Sequence, residues 1–440
     1  MVEHRDTAGS IVLIFIENTP RAYAWGSTDA LPAMLGHAPT GEPQAELWLG
    51  DHPGSPASVA KATPVPHTLI ELISQDPERY GVNGGPLPFL LKVLAIGAPL
   101  SLQAHPDARQ ARAGFAAENA AGVPVDSPVR NYRDPNHKPE LLVALSEVTA
   151  LSGFRPLSDT IMDLRALAAA APHGAAALWA VADRLVGADP DRGREEFLRW
   201  AFSDTDEVRD AMRAVVDAIG AGSRPAIHPD RLECLRSLAR HYPGDPGALV
   251  SLLLHHVRLA PGEAVYLGAR QLHAYLGGIA VEVMAASDNV LRAGLTEKHV
   301  DIPEMLRVLD FGELSEPRML GRRAAAGLCE WDPGVPDFRL FRARVTHDSD
   351  GSSVGAFGDA ASLGGARLEG AATEVVVEAH APLVLIVTAG RVLVSRPEAE
   401  LAEMANAARG QSLYVSAGEP VHLTGSGEVF LATVGSAVTP

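Results

Sequence analysis

Cysteine is nearly missing from this chain. It has two, Cys234 and Cys329, far apart and with no Cys-x-x-Cys pair. That argues against a disulfide framework and against a cysteine-ligated zinc site, and it makes the reducing cytoplasm the expected compartment. Positive charge is in deficit. Lys and Arg number 37 against 54 Asp and Glu, a net charge of −17. A chain so acidic is not expected to bind nucleic acid or an anionic membrane surface. Long apolar runs are also lacking, and none reaches the length of a membrane span. The early run "IVLIFIENTP" is short and follows the mixed-charge "MVEHRDTAG". It has neither a basic flank nor a small-residue cleavage site, so it reads as a strand and not as a signal peptide. An anionic small substrate would need local Lys and Arg set against the global field. Small-molecule partners and a monomer are the expectation.

What remains is the composition of a packed protein. Of the 440 residues 47% are hydrophobic and 21% charged, which excludes wholesale disorder and points to two or three domains. To about residue 155, short apolar runs are punctuated by Gly, Pro and Asp, the pattern of strands and loops. "PHTLIELISQDPERYG" reads as a short helix. From 156 to 257 the chain turns to Ala, Leu and Arg, with apolar residues at helical spacing. Its segments begin near Ser, Asp or Pro and end near Gly or Pro, as helix caps do. Beyond 257 the strand pattern returns. "PGEAVYLGARQLHAYL" and "ARGQSLYVSAGEPVHLTG" resemble one another as turn, strand, turn, strand.

The fold expected is therefore mainly β with a helical insertion, as two jelly-roll barrels plus an α-helical domain. Residues 1–155 and 258–320 would form a discontinuous catalytic barrel, 156–257 the insertion and 321–440 a second barrel. "HDSDGSSVGAFGDAASLGG" (347–365) reads as a surface loop.

Three clusters carry chemistry. "SLQAHPD" leaves an apolar run with Gln103, His105 and Asp107 at every second position. Strand alternation puts Gln103 and His105 on one face, and Asp107 too if the strand outlasts Pro106. The pair could bind a metal or be an ordinary solvated strand end. "NHKPELLVAL" sets Lys138 and Glu140 on one face, which alone suits a surface ion pair. "QLHAYLGGIAVEVMAASDNVLRAGLTEKHVD" supplies His273, Glu282, Arg292 and Lys298. His255 and His256, at the end of a predicted helix, read as ordinary hydrogen-bonded residues. Taken together, Gln103, His105, Glu140 and His273 suit zinc or another first-row divalent ion, with room for water or substrate oxygens. The cations and acid/base groups beside them match a phosphorylated, oxygen-rich substrate.

"PFLLKVLAIGAPLSLQAHPD", "NHKPEL", "QLHAYLGG" and "VEVMAASDNVLRAGLTEKHVD" closely resemble type I mannose-6-phosphate isomerase, the zinc-dependent phosphomannose isomerase of the cupin superfamily. "RAYAWGS" and "AELWLGDHPGSPAS" resemble it too, although Ala24 stands where the family usually has an acid. The motifs span roughly residues 20–300, and the C-terminal third matches only in its β-rich character. The resemblance implies cupin-type barrels and one Zn2+ per chain on Gln103, His105, Glu140 and His273. It implies interconversion of mannose 6-phosphate and fructose 6-phosphate by proton transfer between C2 and C1 through a cis-enediol. Lys138 or Glu282 would be the base, a Lys beside a divalent cation being expected to have a lowered pKa. Arg292 would steady developing charge or help ring opening, and Lys92, Ser101 and Lys298 would meet the phosphate. A cupin dioxygenase is the rival reading, disfavoured by the Gln ligand and the Lys/Arg set. A non-catalytic sugar-phosphate-binding cupin would be expected to lose Lys138, Glu282 and Arg292. A guanylyltransferase activity lacks the Gly-rich segment it would need.

Overall fold

The computed structural model describes residues 13–59, 67–171, 173–220, 222–347, 370–398 and 403–436. Apart from His347, the expected loop at 347–365 lies outside them. The protein is mostly β, with two antiparallel sheets and a set of helices.

Strand His273–Ala285 is the spine of the first sheet. Its C-terminal half, "IAVEVMA", is rich in β-branched residues and buried throughout, as befits a central strand. His273 pairs with Gln103 and Ser152, while 280–284 pair with 140–144 on one side and, within 278–285, with 89–96 on the other. Between the halves the register slips at Tyr275–Gly277. Gly278 sits at this bend with φ +109°, and a Cβ there would come within 2.4 Å of the Glu147 carbonyl oxygen. Glycine is required by both the backbone angle and the space.

The second sheet is built on Leu383–Arg396 and Val421–Thr433, which pair along most of their length. The internal repeat is visible here. Ala264–Leu267 precedes His273–Ala285 as Ser412–Val415 precedes Val421–Thr433, a 4-residue strand and then a 13-residue strand each time. Three strands depart from the expected grouping of residues 1–155 with the first sheet: Leu13–Glu17, Ser58–Val59 and His67–Thr68. Strand Leu13–Glu17 joins the second sheet, with Ile14 opposite Tyr414 and Phe15 opposite Leu413. An apolar alternation specifies a strand without specifying its neighbour. The sheets share an apolar layer that includes Val93, Val281, Trp331, Phe338, Tyr414 and Phe430.

The helical block contains Leu157–Ala170, Ala175–Leu185, Pro190–Ala201, Asp206–Ile219 and Pro229–His241. Local rules explain its edges. The Thr205 and Asp189 side chains accept from the Val208 and Arg192 amides, and Pro190 and Pro229 open their helices. Asp206–Ile219 buries Val208, Ala211, Val215, Ala218 and Ile219. This is the stripe of one helix face, where burying each large aliphatic side chain contributes about 1.5–3 kcal/mol. A charge at Ala211, 0% exposed, would break it. The block's apolar core runs on into Leu102, Leu291, Ala293 and Leu295, so the insertion packs against the segments that carry Gln103, His105 and Arg292. His255 and His256 lie on strand Leu254–Leu259, not at a helix end. The short helix Gly247–Val250 and its 3₁₀ turn finish earlier. His255 Nε2 is 2.6 Å from the Leu314 carbonyl, the ordinary hydrogen-bonded role expected of it. No described helix is long and apolar enough to cross a membrane.

Candidate metal centre and substrate cavity

Gln103 belongs to a two-residue strand, Gln103–Ala104, paired with His273 on one side and Arg292 on the other. His105 comes immediately after. Asp107 does not join them. Its carboxylate caps helix Ala108–Ala120 by accepting from the Gln110 amide at 2.7 Å, which is what an Asp after a Pro at a helix start does best. Glu140 opens strand Glu140–Ala144 and His273 opens His273–Ala285.

These elements converge. His105 and His273 are 0% exposed and Glu140 is 2% exposed. His105 Nε2 lies 3.2 Å from Glu140 Oε1, and His273 Nε2 lies 3.6 Å from Glu140 Oε2. One ligand atom from each falls within 4.8 Å of the other two. Gln103 Nε2 is 3.3 Å from His273 Nε2, and half a turn of its amide would present Oε1 there instead.

The protons can be placed. His105 Nδ1 faces the Asn289 carbonyl at 2.7 Å and His273 Nδ1 faces the Gln271 carbonyl at 2.9 Å. A carbonyl only accepts, so Nδ1 carries the proton on both rings; the Nε2 lone pair of His105 is left free and that of His273 also meets the Gln103 amide. They point at a carboxylate. His105 Nε2 and Glu140 Oε2 have no hydrogen-bond partner although buried. Buried acceptors facing one another are costly unless a cation stands among them. The donor set, two imidazoles, a carboxylate and an amide within reach, fits a divalent ion such as zinc. Electrostatics agree. Burial, then His105, pushes the His273 imidazole down to about 4, so it stays neutral and able to ligate. Burial opposes ionisation of Glu140, but Lys138 and His105 outweigh it and hold the carboxyl well below its ordinary range.

The centre lies in the wall of a cavity of about 430 Å³. Gln103, Glu140, Lys92, Lys138, Ser101, Glu282, Arg292 and Lys298 all line it. Lys138 Nζ is 3.1 Å from Glu140 Oε1. Lys92 Nζ is 3.7 Å from Glu46 and 3.6 Å from Glu282, and sits over the Trp48 ring. Burial opposes its charge, yet the two carboxylates leave its pKa raised. Glu282 is pushed up to about 7 by burial and by Glu140, which suits proton exchange near neutrality.

Arg292 and Lys298 make a different group. They stand with Arg133, which was not foreseen. Burial and Arg133 push Arg292 down, and partial burial, Arg292 and Arg133 push Lys298 down, both despite the ordinary stability of their charges. Among the described residues no carboxylate lies within ion-pair distance of these three cations. Cations that share one cavity without a carboxylate in ion-pair contact suit an anion. Sequence offered no sign of Arg133. It sits in the loop "NYRDPN", where it looks like any surface arginine, and the Asn289 side chain's hold on its backbone amide, at 2.7 Å, fixes it there. Of the motif "RAYAWGS", Tyr23 and Trp25 line the cavity while Ala24 is exposed and does not.

A β scaffold carrying a buried His/Glu metal centre beside a cation-lined cavity defines a metalloenzyme class acting on anionic small molecules. Comparison narrows the class. The family profile for phosphomannose isomerase type I, catalytic domain, matches residues 13–157. The mannose-6-phosphate isomerase of Escherichia coli (strain K12) is 41% identical over 325 residues, 72% of this chain and 80% of that one. The Homo sapiens mannose-6-phosphate isomerase is 31% identical over 355 residues, 73% and 80% of the two chains. A crystal structure of mannose 6-phosphate isomerase bound with zinc and yttrium superposes with a TM-score of 0.80 at 32% identity, covering 96% of this chain and 100% of that one. A zinc-bound holo structure gives 0.81 at 30% identity over 96% and 100%. The chain belongs to the type I phosphomannose isomerases, the mannose-6-phosphate isomerase family.

Proposed function

We propose that this protein is a zinc-dependent mannose-6-phosphate isomerase that interconverts D-mannose 6-phosphate and D-fructose 6-phosphate. The observation that carries the reading is the convergence of His105 Nε2, His273 Nε2 and Glu140, with Glu140 lining a cavity that also holds Arg133, Arg292 and Lys298, none of them within ion-pair distance of a carboxylate among the described residues. His105, Glu140, His273 and Gln103 would hold the ion. When bound, zinc would supply Lewis-acid polarisation of the substrate's oxygens.

The remaining roles belong to the chain. Lys298 and Arg133 take the phosphate, with Ser101 beside them. Arg292 stabilises the negative charge that develops as C2 loses its proton. Glu282 takes the proton from C2 of the open-chain sugar and returns it to C1 of the cis-enediol. Lys92, ion-paired with it at 3.6 Å, holds the carboxylate in place. Lys138, against Glu140, is the second candidate for proton transfer. Both sheets are cupin-type jelly rolls in this reading. The catalytic unit is formed by segments before and after the 156–257 insertion, and the rest of the second sheet forms the C-terminal unit. The enzyme acts as a cytoplasmic monomer.

A coupled assay on mannose 6-phosphate, before and after chelation, tests the proposal together with metal analysis of the purified protein. Activity lost on chelation and restored by zinc supports it. Activity indifferent to chelation, or full turnover absent in metal-loaded protein, removes it.

A further inference from the structure

Lys298, proposed for the phosphate, sits at the end of a segment, 291–298, that has few regular hydrogen bonds of its own. Strand Leu291–Arg292 is two residues long. The residues after it are held from outside. The Ala293 amide donates to the Leu102 carbonyl, and the Gly294 carbonyl accepts from the Leu102 amide. Then comes Leu295 with φ +53°, a left-handed backbone that a leucine adopts only under constraint.

The constraint comes from the helical insertion. Asp245 lies in the turn after helix Pro229–His241. Its Oδ2 accepts from the Leu295 amide at 2.8 Å, and its Oδ1 accepts from the Gly247 amide at 2.7 Å. The approach is close. A Cβ on Gly294 would meet Asp245 Oδ1 at 2.7 Å, and one on Gly247 would meet Leu295 Cγ at 2.8 Å. The same turn carries Tyr242, whose hydroxyl donates to the Pro99 carbonyl at 2.7 Å, two residues before Ser101. So one turn of the insertion grips two of the segments that bring polar groups into the cavity.

We propose that Asp245 is a positioning residue for substrate phosphate. It holds Leu295 in the left-handed conformation and thereby aims Lys298, which follows it, into the cavity. The proposal rests on the phosphate reading given above and deepens it, by assigning the helical insertion a part in substrate binding. Both carboxylate oxygens are needed. An asparagine has one acceptor oxygen and would turn its amide N–H toward the other backbone N–H, so it can keep one of the two bonds but not both.

The test uses the full-length, zinc-loaded enzyme. Asp245→Ala, Asp245→Asn, Lys298→Ala and the double variant Asp245→Ala/Lys298→Ala are compared. KM and kcat for mannose 6-phosphate, the competitive Ki of inorganic phosphate, bound zinc and the melting temperature are measured. In Asp245→Ala, KM and the phosphate Ki are expected to rise together by about tenfold, the loss typical of one hydrogen bond that serves a charged contact. Zinc content and kcat should stay near those of the parent, and Asp245→Asn should fall between. In the double variant the rise in KM should be smaller than the product of the two single effects, because Asp245 acts through Lys298. A melting temperature that falls while KM and Ki do not move overturns the proposal. So does a loss of kcat at constant KM. If Lys298→Ala leaves the phosphate Ki unchanged, the phosphate reading fails and this inference with it. If Lys298→Ala raises Ki and neither Asp245 variant does, only the tether fails. Should Asp245→Ala not fold, Asp245→Asn keeps the side-chain volume and decides between these outcomes.

Discussion

His105 Nδ1 faces the backbone carbonyl of Asn289 at 2.7 Å, across 184 positions of sequence. That contact fixes the tautomer and leaves Nε2 free to bind an ion. Asn289 is itself pinned. Its side-chain amide donates to the carbonyls of Asp134 and Asn136 at 2.8 Å each, and its Oδ1 accepts from the Arg133 amide. Asn289→Ala keeps that carbonyl but frees the backbone that aims it, and is therefore expected to weaken metal binding, by up to the roughly 10–100-fold typical of a disturbed outer partner. Competition with a chelator of known affinity measures it, and parental affinity in the variant would refute the role.

The ligands themselves should behave in a stricter way. His105→Ala and His273→Ala should each lose both bound metal and activity, because each removes a lone pair that nothing nearby replaces. The helical signal in far-ultraviolet circular dichroism should persist, since the helices are held by a core to which neither histidine belongs. Full metal occupancy in both variants would dissolve the proposed centre.

The cations divide by kinetics. Lys298→Ala and Arg133→Ala should raise KM, each by roughly tenfold to a hundredfold, for a lost charge-assisted contact of about 1.5–3 kcal/mol. Arg292→Ala should instead lower kcat, because its partner is charge that appears only during proton transfer. Steady-state parameters for the three variants, side by side, distinguish the assignments.

Glu282 carries a prediction about pH. Burial and Glu140 push it up to about 7, and a base must be ionised to accept a proton. The rate at limiting substrate should therefore fall as pH drops below about 7, where the carboxylate becomes protonated. Glu282→Gln should lower kcat by about 10²–10⁴-fold, the contribution typical of a positioned general base, and remove that limb from any residual activity. A pH profile with the same acid limb in the variant would hand the role to Lys138. The sign for stability runs the other way. The folded chain retains this proton over a range, about 4.5 to 7, in which the unfolded chain has released it, so this one group makes folding less favourable as pH rises through that range.

The convergence of His105, Glu140 and His273 was more legible in the sequence than its surroundings. Gln103, His105, Glu140 and His273 stand in or beside apolar strands, where a polar residue at a defined position stands out. The helical block was legible for a similar reason, because caps and apolar spacing are local signals. Arg133, Asn289 and Glu46 were not, since a polar residue in a loop or at a strand end looks solvated until the fold supplies its partner. Asp107 had the alternation of a ligand but the position of a cap, and the cap won. His255 and His256 continue an apolar helix-like run, yet the chain turns to strand one residue earlier, at Leu254. The pairing of Leu13–Glu17 with Ser412–Val415 was hidden most deeply, because nothing local encodes a partner some four hundred residues away.

That last pairing governs how the molecule could be cut. Ile14 is opposite Tyr414 and Ile16 opposite Ser412, while Ile16 and Glu17 also meet Val59 and Ser58 on their other edge. A fragment ending before the second sheet would keep a strand whose neighbour had gone and expose a row of unmatched amides and carbonyls, an invitation to foreign strands. A fragment lacking the first twenty residues would uncover the matching edge on the other half. The long loop closed by this pairing makes the two sheets mechanically one object. A designer wishing to borrow the metal centre would have to carry the distal sheet along, or first find a new neighbour for residues 13–17.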